Sequence, residues 1–583
     1  MFTLLRLPSV LLLLGLTQFI HPLSAQEIIP ADRRIEWKPG LPGGIPEVNT
    51  PEVNVMDHGA DSTGIQDSQG AFVAAIGALP ATGGVVQIPE GDFRLSSTLS
   101  IGKSGVVLRG NGKGTRIISE ADGNSIDIVT YQRGDWQRLP ASLGKDSIFM
   151  QVVNGSLFTA GEFVEVSQEN DPTLMYTSPD WDVSWAQRSV GQLFEISRIS
   201  GNTLELANPS HYHYDTSLQT EARPINLVRK VGLEDFYIEK TAASGHTILL
   251  KNSAYCWISR IESYHTRKYH VAQHTCLGNE IRDSYFHRSF DYGGGGSAYG
   301  VECGYHVTST LVENNIFDSL RHAMMVQLGA SGNVFGYNYS AHPVQGSGES
   351  MLNQGWDPPD LSIHGHFPLM NLFEGNDMEE VGIGDYWGPA GPGNTYFRNR
   401  VNSSEGIIYY DASHGQNVVG NITIKINNAS DIATDELEHG NVINGIVHWD
   451  PDISHHELLE SYYLSSVPSF MLGHSWPVFG PDVDGVPQLP AQLRYNALIS
   501  THTNPSLSVS TIRIWPNPCT GILQLDHLEP NTRLRVMEIS GRVVQDTFPE
   551  DGFLDLSDLP GGLYLIEFIS PNGKRQLERV IRQ

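Results

Sequence analysis

Cysteine is scarce. The 583 residues hold four, Cys256, Cys276, Cys303 and Cys519, and none shows CxxC spacing. That excludes a disulfide scaffold and the common zinc motifs, and it leaves the thiols as packed or incidental side chains. Charge is also thin, at 17% of residues, and cations are outnumbered, with 37 Lys and Arg against 65 Asp and Glu. A net charge of −28 argues against nucleic acid or an anionic membrane as partner. An acidic substrate is not excluded, because a small basic cleft can sit on an acidic surface. Long apolar runs are missing too. The one near the start, residues 10–16, follows Arg6 and precedes Ser24-Ala25. It is too short to cross a membrane and reads as a secretory signal peptide over residues 1–25. No later run approaches about twenty apolar residues, so no span is expected in the mature chain.

What is abundant is glycine, 59 residues, which with the frequent Asn suits a turn-rich β structure. Short segments recur with Asn at each end: Asn333-VFGY-Asn338, Asn371-LFEG-Asn376, Asn394-TYFR-Asn399 and Asn417-VVG-Asn421. Upstream, the same pattern starts at Leu233, Cys256, Asn279 and Thr310. Between successive starts a period of 23 appears five times, with additions of 8 and 15 in two turns. A β-solenoid explains this, since each coil pairs with the next at the strand spacing and Asn and Gly serve the bends. An α-solenoid does not, because the segments are too short and too β-branched. The fold expected is therefore all-β, a parallel β-helix over residues 51–500 preceded by a linker at 26–50.

Residues 53–118 run VNVMDHGADSTGIQDSQGAFVAAIGAL, GGVVQIPEGDFRLSSTLSI and GVVLRGNGKGTRI. The first holds a short helix at 68–79 that caps the open end of the solenoid, where a bare strand edge invites aggregation. This segment resembles the N-terminal region of the pectate-lyase superfamily, whose right-handed parallel β-helices include polysaccharide lyases, glycoside hydrolases and phage tailspikes. The resemblance implies a fold more than an activity. Residues 130–226 break the rhythm. FTAGEFVEVSQ and GQLFEISRISGNTLELANP read as an antiparallel excursion with a Gly-Asn turn, and the aromatic stretch between them is placed to overhang a groove. From about 508 the chain alternates like a small β-sandwich. There WPNP-x-TG, ISGRVV and LSDLPGGLYLI resemble the C-terminal sorting domains of the type IX secretion system. This implies outer-membrane secretion machinery as a partner, passage through the periplasm, and release or cell-surface attachment.

The chemistry is read from the register. The two insertions, around 291–306 and 341–366, mark loops that build a binding face. Counted from the coil starts, His287 and Asp318 fall at +8, Glu379 and Glu380 at +8 and +9, and His265 and His342 at +9. Arg267 and Arg321 fall at +11, with Lys268, Asp291 and His322 at +12. Equal offsets stack about 5 Å apart, so one ladder of His, cations and carboxylates is expected.

β-Elimination from a uronic-acid polymer needs a cation for the carboxylate, a base for the C5 proton and an acid for the leaving oxygen. Arg267, Lys268 and His270, with His287-Arg288 and Arg321-His322, supply these types. Hydrolysis needs a carboxylate pair, available from Asp318, Glu379, Glu380 and Asp385. Trp356, Asp357, His364, His366, Tyr386 and Trp387 are the candidate substrate contacts, from exposed-looking aromatic loops. The bland readings are corner histidines, a solvated Glu-Glu turn and loop-pinning tryptophans. The Gly293–Gly296 run lacks the context of a phosphate loop. Polygalacturonase motifs (NTD, DD, GHG, RIK) are absent as a set, and His364-Gly365-His366 inverts the third. The expectation is a polysaccharide lyase on an acidic glycan. The alternatives are a glycoside hydrolase in the same groove and a non-catalytic glycan binder or adhesin. Calcium suits a lyase, although no motif for it is present.

Overall fold

A computed structural model describes residues 28–583 apart from 176–181, 294, 345–357, 430, 486, 504–512, 516–517, 527–531, 539–541, 550–551 and 570–574. The signal peptide over 1–25 lies outside the described residues, as do Trp356 and Asp357. The chain divides into two compact units, Met1–Tyr495 and Asn496–Gln583.

The first unit is a parallel β-helix with three short strands per coil. Trp257 pairs with Glu280, Glu280 with Leu311, Leu311 with Val334, Val334 with Leu372 and Leu372 with Thr395, all in parallel. These are the spacings of the Asn-flanked repeat. At its two ends the expected register slips. Leu233 pairs with Ile258 rather than Cys256, and Thr395 pairs with Asn417, because turn lengths there differ from the central coils by one or two residues. Gln416 rather than Asn417 therefore continues the stack, accepting from Asn394 at 3.2 Å.

The asparagines form two internal ladders. One links Asn333, Asn371 and Asn394 at 2.9 and 3.0 Å. The other runs Asn315, Asn338, Asn376, Asn399, Asn421 and Asn441 at 2.9–3.1 Å. Each carboxamide also satisfies buried main chain; Asn376, for example, donates to the Phe335 carbonyl at 2.8 Å and accepts from the Asn338 amide at 3.0 Å. An Asn is needed because the corner buries both a donor and an acceptor, and one carboxamide meets both. The preceding residue bends the chain through the left-handed region, which Gly375 adopts freely at φ +68° while Arg398 sits there at +50°. Between the ladders, aromatic rings stack coil on coil: Phe286 on Phe317, and Phe335 on Phe373 on Tyr396. Cys256, Cys276 and Cys303 are free thiols in the same core.

The cap helix spans Gln69–Ala78 and buries Phe72, Ala75 and Ile76 against the first coils. The excursion is a six-stranded antiparallel sheet in which Ser200 opposes Thr203 across Gly201-Asn202. It is fixed to the solenoid by a buried cluster. His306 meets Glu165 at 2.8 Å and the Arg188 carbonyl at 2.9 Å, and Arg223 donates to Glu165 at 2.7 Å. Burial opposes ionisation of Glu165, but His306, Arg223 and Arg133 together hold its carboxyl below the usual range.

The described part of the expected linker is packed rather than free. Trp37 donates to the Met370 carbonyl at 2.8 Å, and the Gly40 amide reaches the Ser309 carbonyl at 2.8 Å. After the last coil, a strap of irregular chain returns across earlier ones. Tyr463 donates to Glu313 at 2.8 Å, the Tyr462 amide to Glu374 at 2.8 Å, and Arg398 grips Asp482 at 2.6 Å.

Burial pushes the carboxyls of Glu313 and Glu374 up to about 7. A folded value above the unfolded one (about 4.3) supports the folded state below that range and withdraws support as pH rises through about 7. The thermal transition is therefore expected to fall between about pH 5 and about pH 8, measured by calorimetry. Glu374→Gln, which mimics the protonated form, is expected to remove part of that fall; an unchanged slope would refute this assignment.

The second unit packs a three-stranded sheet (Arg513–Trp515, Ile522–Asp526, Phe553–Asp555) with a four-stranded one (Val543–Thr547, Arg533–Glu538, Gly562–Ile569, Arg575–Arg582). Leu523, Leu534, Val536, Ile566, Phe568 and Val580 form its core. Among the described residues, no helix is long and apolar enough to cross a membrane.

Candidate active site

Both insertions leave their coil between its second and third strands, after Tyr285–Ser289 and after Tyr339–Ala341. Gly295 and Gly296 of the first therefore rim the face built by the third strands. The opposite rim is the excursion. Between them lies a cleft of about 530 Å³ lined by Arg133, Lys251, Arg321, His274, His364, Tyr269, Tyr299, Tyr305, Trp185 and Trp387, among others. No carboxylate is among the described lining residues.

The centre of the cleft is set by strand pairing. Tyr269 is opposite Tyr299, and Tyr299 is opposite His322. The two tyrosine rings stack at 4.8 Å, and His322 meets Tyr299 edge-on at 4.8 Å. Arg321 donates from Nη1 to the Tyr299 hydroxyl at 3.2 Å. Burial pushes the Tyr299 phenol up to about 12, with Arg321 pulling the other way. His364 lies 6.5 Å from Tyr299 between ring centres and bonds through Nδ1 to Asp385. That bond leaves Nε2 as the second ring atom for chemistry. Asp385 is in turn fixed by the Trp387 amide at 2.9 Å. A second His–carboxylate pair lies further along, His274 with buried Glu302 at 3.7 Å, where Gln327 also donates to Glu302 at 2.6 Å. Trp185 and Trp387 wall one side with their rings 5.2 Å apart, and Trp185 is 49% exposed.

Residues 52–201 match the family model described as rhamnogalacturonase A/epimerase, pectate lyase-like. Residues 513–583 match that of a secretion system C-terminal sorting domain. The first coils of the chain are thus pectate-lyase-like, and its C-terminal segment is a type IX sorting domain. That domain directs the β-helix protein to the cell surface or the medium. No curated protein matches it in sequence. Similar solved structures include the tailspike protein gp49 of Pseudomonas phage LKA1, at 15% identity and TM-score 0.46, covering 64% of each chain. The catalytic unit of a GH87 alpha-1,3-glucanase from Streptomyces thermodiastaticus gives 15% and 0.33, covering 70% of this chain and 71% of that one. The A-module of the mannuronan C-5 epimerase AlgE6 from Azotobacter vinelandii gives 14% and 0.24, covering 68% and 100%.

The single ladder expected from the sequence is divided between two faces of the β-helix. His287 and Asp318 do pair, at one end of a second-strand row that also holds Tyr264. There Asp318 accepts from Tyr285 at 3.1 Å and meets His342 at 3.0 Å, while His287 faces Glu262 at 3.2 Å. Glu379 and Glu380 stand further along this face; burial raises the Glu379 carboxyl, and its amide donates to Asp360 at 2.7 Å. Arg321, His322, His364, Trp387 and, behind them, Asp385 belong to the third-strand cleft instead.

The expected +12 row fails, because Lys268 is in step with Arg321 and it is Tyr269 that is in step with His322. The turn after the second strand is one residue longer in the Lys268 coil, and one residue of slip changes the face. Arg267 is held at the rim by Asp291 at 2.9 Å. His270 is fully buried, with Nδ1 on Ser263 at 2.7 Å and Nε2 on the Arg288 carbonyl at 3.1 Å, so neither nitrogen serves a substrate. Arg288 is exposed with a left-handed backbone. His366 is buried against Trp185, and Tyr386 is 60% exposed beside Trp387.

Counting from first strands missed Tyr299, Tyr269, His274, Lys251, Arg133 and Trp185. An alignment anchored on third strands would have placed Tyr269, Tyr299 and His322 in one row. No three His, Cys, Asp or Glu side chains converge as a metal site among the described residues, and no step below runs through calcium.

Proposed function

We propose that this exported protein cleaves a uronic-acid polysaccharide by β-elimination at Arg321, Tyr299 and His364. One observation carries the reading: the cleft is lined by three cations, two histidines and three phenols, the central Arg321 and Tyr299 largely buried, with no carboxylate among its described lining residues. That composition suits a polyanion and lacks the acid pair hydrolysis needs. The match over the first coils to a rhamnogalacturonase A/epimerase, pectate lyase-like model supports a polysaccharide substrate without choosing between elimination and hydrolysis.

In this reading the Arg321 guanidinium pairs with the substrate carboxylate, and so makes the C5 proton easier to remove. His364 Nε2, its tautomer set by Asp385, takes that proton. The C5–H electron pair forms the C4–C5 double bond, the C4–O bond breaks, and the leaving oxygen takes the Tyr299 proton. A phenol pushed to about 12 is still protonated at neutral pH, as an acid must be. Trp185 and Trp387 offer ring faces for sugar stacking.

A second reading rests on the other face. Asp318 and Glu379 stand two coils apart in one row, about 9.6 Å at the strand spacing and close to the separation of inverting hydrolases. One assay divides the readings: mature protein with a panel of acidic and neutral polysaccharides, following ultraviolet absorbance of an unsaturated uronide and reducing ends together. Both rising is the expected result. New ends without the chromophore would refute elimination and favour Asp318 and Glu379, and neither would mean binding alone.

A further inference from the structure

We infer that Lys251 and Arg133 form a second anion subsite in the cleft, several sugars from the reacting one, which selects chains charged at repeated positions. This rests on the elimination reading and adds the substrate's charge pattern to it. The cleft crosses successive third strands, so it runs along the solenoid axis. Lys251 lies in the strand Ile248–Ala254 and is paired with His274 in the next, Tyr269–Leu277. Tyr299–Cys303 follows, and Arg321 immediately precedes His322–Val326. From Lys251 to Arg321 is thus three coil steps along the axis, about 14 Å, and six residues across it, about 20 Å, because Lys251 stands in step with Gln327. A sugar chain that follows this oblique path, roughly 24 Å from end to end, needs several residues to touch both cations.

Both cations are available to a ligand at that end. Lys251 lines the cleft and forms no ion pair among the described residues. Arg133 enters from the excursion, where it donates to the Asn252 and Thr275 side chains, both neutral. Those two bonds fix the guanidinium on the rim of the solenoid, where it also feels the buried Glu165 carboxylate, so Lys251 is the freer cation of the two. Between the two charged ends the lining is neutral or aromatic: Tyr269, Tyr299, Gly295 and Gly296, with His274 beside Lys251. Two cationic ends separated by such a stretch fit a chain bearing carboxylates along its length better than one with an isolated acidic sugar. Sulfate esters would present the same charge, and methyl-esterified uronides the same shape without it.

The test is equilibrium binding of oligouronides of increasing length to the full chain carrying His364→Gln, which keeps ligands intact. Affinity is expected to rise about tenfold or more once the oligomer is long enough to reach Lys251. Adding Lys251→Gln, or the milder Arg133→Lys, should weaken that rise, and Lys251→Glu should abolish it. Methyl-esterified oligomers should show no rise. Sulfated neutral oligomers that match the uronides would assign the subsite to charge in general. A rise that persists in the Lys251→Glu protein with an unchanged thermal transition overturns the subsite alone. If the wild-type protein neither binds nor cleaves any oligouronide, the elimination reading falls, and the subsite with it.

Discussion

Arg321→Ala is expected to lower kcat on an acidic polysaccharide by about 10²- to 10³-fold, the usual cost of removing a donor aimed at developing charge. Tyr299→Phe should cost about as much, within the 10²- to 10⁴-fold range of a general acid. Its thermal transition should move by no more than a few degrees, since one hydroxyl is lost while the ring keeps its stack on Tyr269. The contrast is His322→Ala. Burial holds that imidazole neutral, and its Nδ1 is spent on the Pro359 carbonyl at 2.6 Å. A buried ring packed on Tyr299 is expected to cost stability first, by about 2–4 kcal/mol as for other large core truncations. Near-normal turnover in Arg321→Ala would remove the cleft as the catalytic site, and a His322→Ala protein that is stable but inactive would promote His322 from support to chemistry.

Deleting residues 508–583 is expected to leave the β-helix folded and active but retained in the periplasm. The β-sandwich has its own core, with Leu523, Leu534 and Ile566 fully buried, and the first unit closes its own. Fractionation of cells followed by assay of each compartment is the check. Normal appearance of the truncated protein in the medium would show that export uses another signal.

The fold was legible because solenoid physics is written locally. An Asn at each corner answers a buried donor and acceptor in its own coil and the next, so the same letters return at the coil length. The position of the cleft was legible in part, since insertions mark the face they rim. The site was less so. Tyr299 follows an insertion, where counting from the first strand loses the register by the length of the loop. Arg133 and Trp185 come from the excursion, more than a hundred residues before the coils they serve, and no repeat announces them. Arg321 and His364 emerged from register and motif scanning, but neither method could tell that His287 faces a different side from Arg321. Turn lengths decide that, and a single residue is enough.

The strap after the last coil changes how this molecule comes apart. A bare solenoid behaves as a row of dominoes, each coil touching only its neighbours, so it frays from either end and tolerates a melted middle. Here Tyr463 reaches Glu313, Tyr462 reaches Glu374 and Asp482 holds Arg398, so one length of chain is sewn to coils that do not all touch one another. Fraying at the C-terminal end must first rip that seam, which makes loss of a few coils nearly as costly as loss of many. For a protein that works outside the cell, among proteases and beyond the reach of chaperones, a seam turns gradual fraying into a single, rarer event.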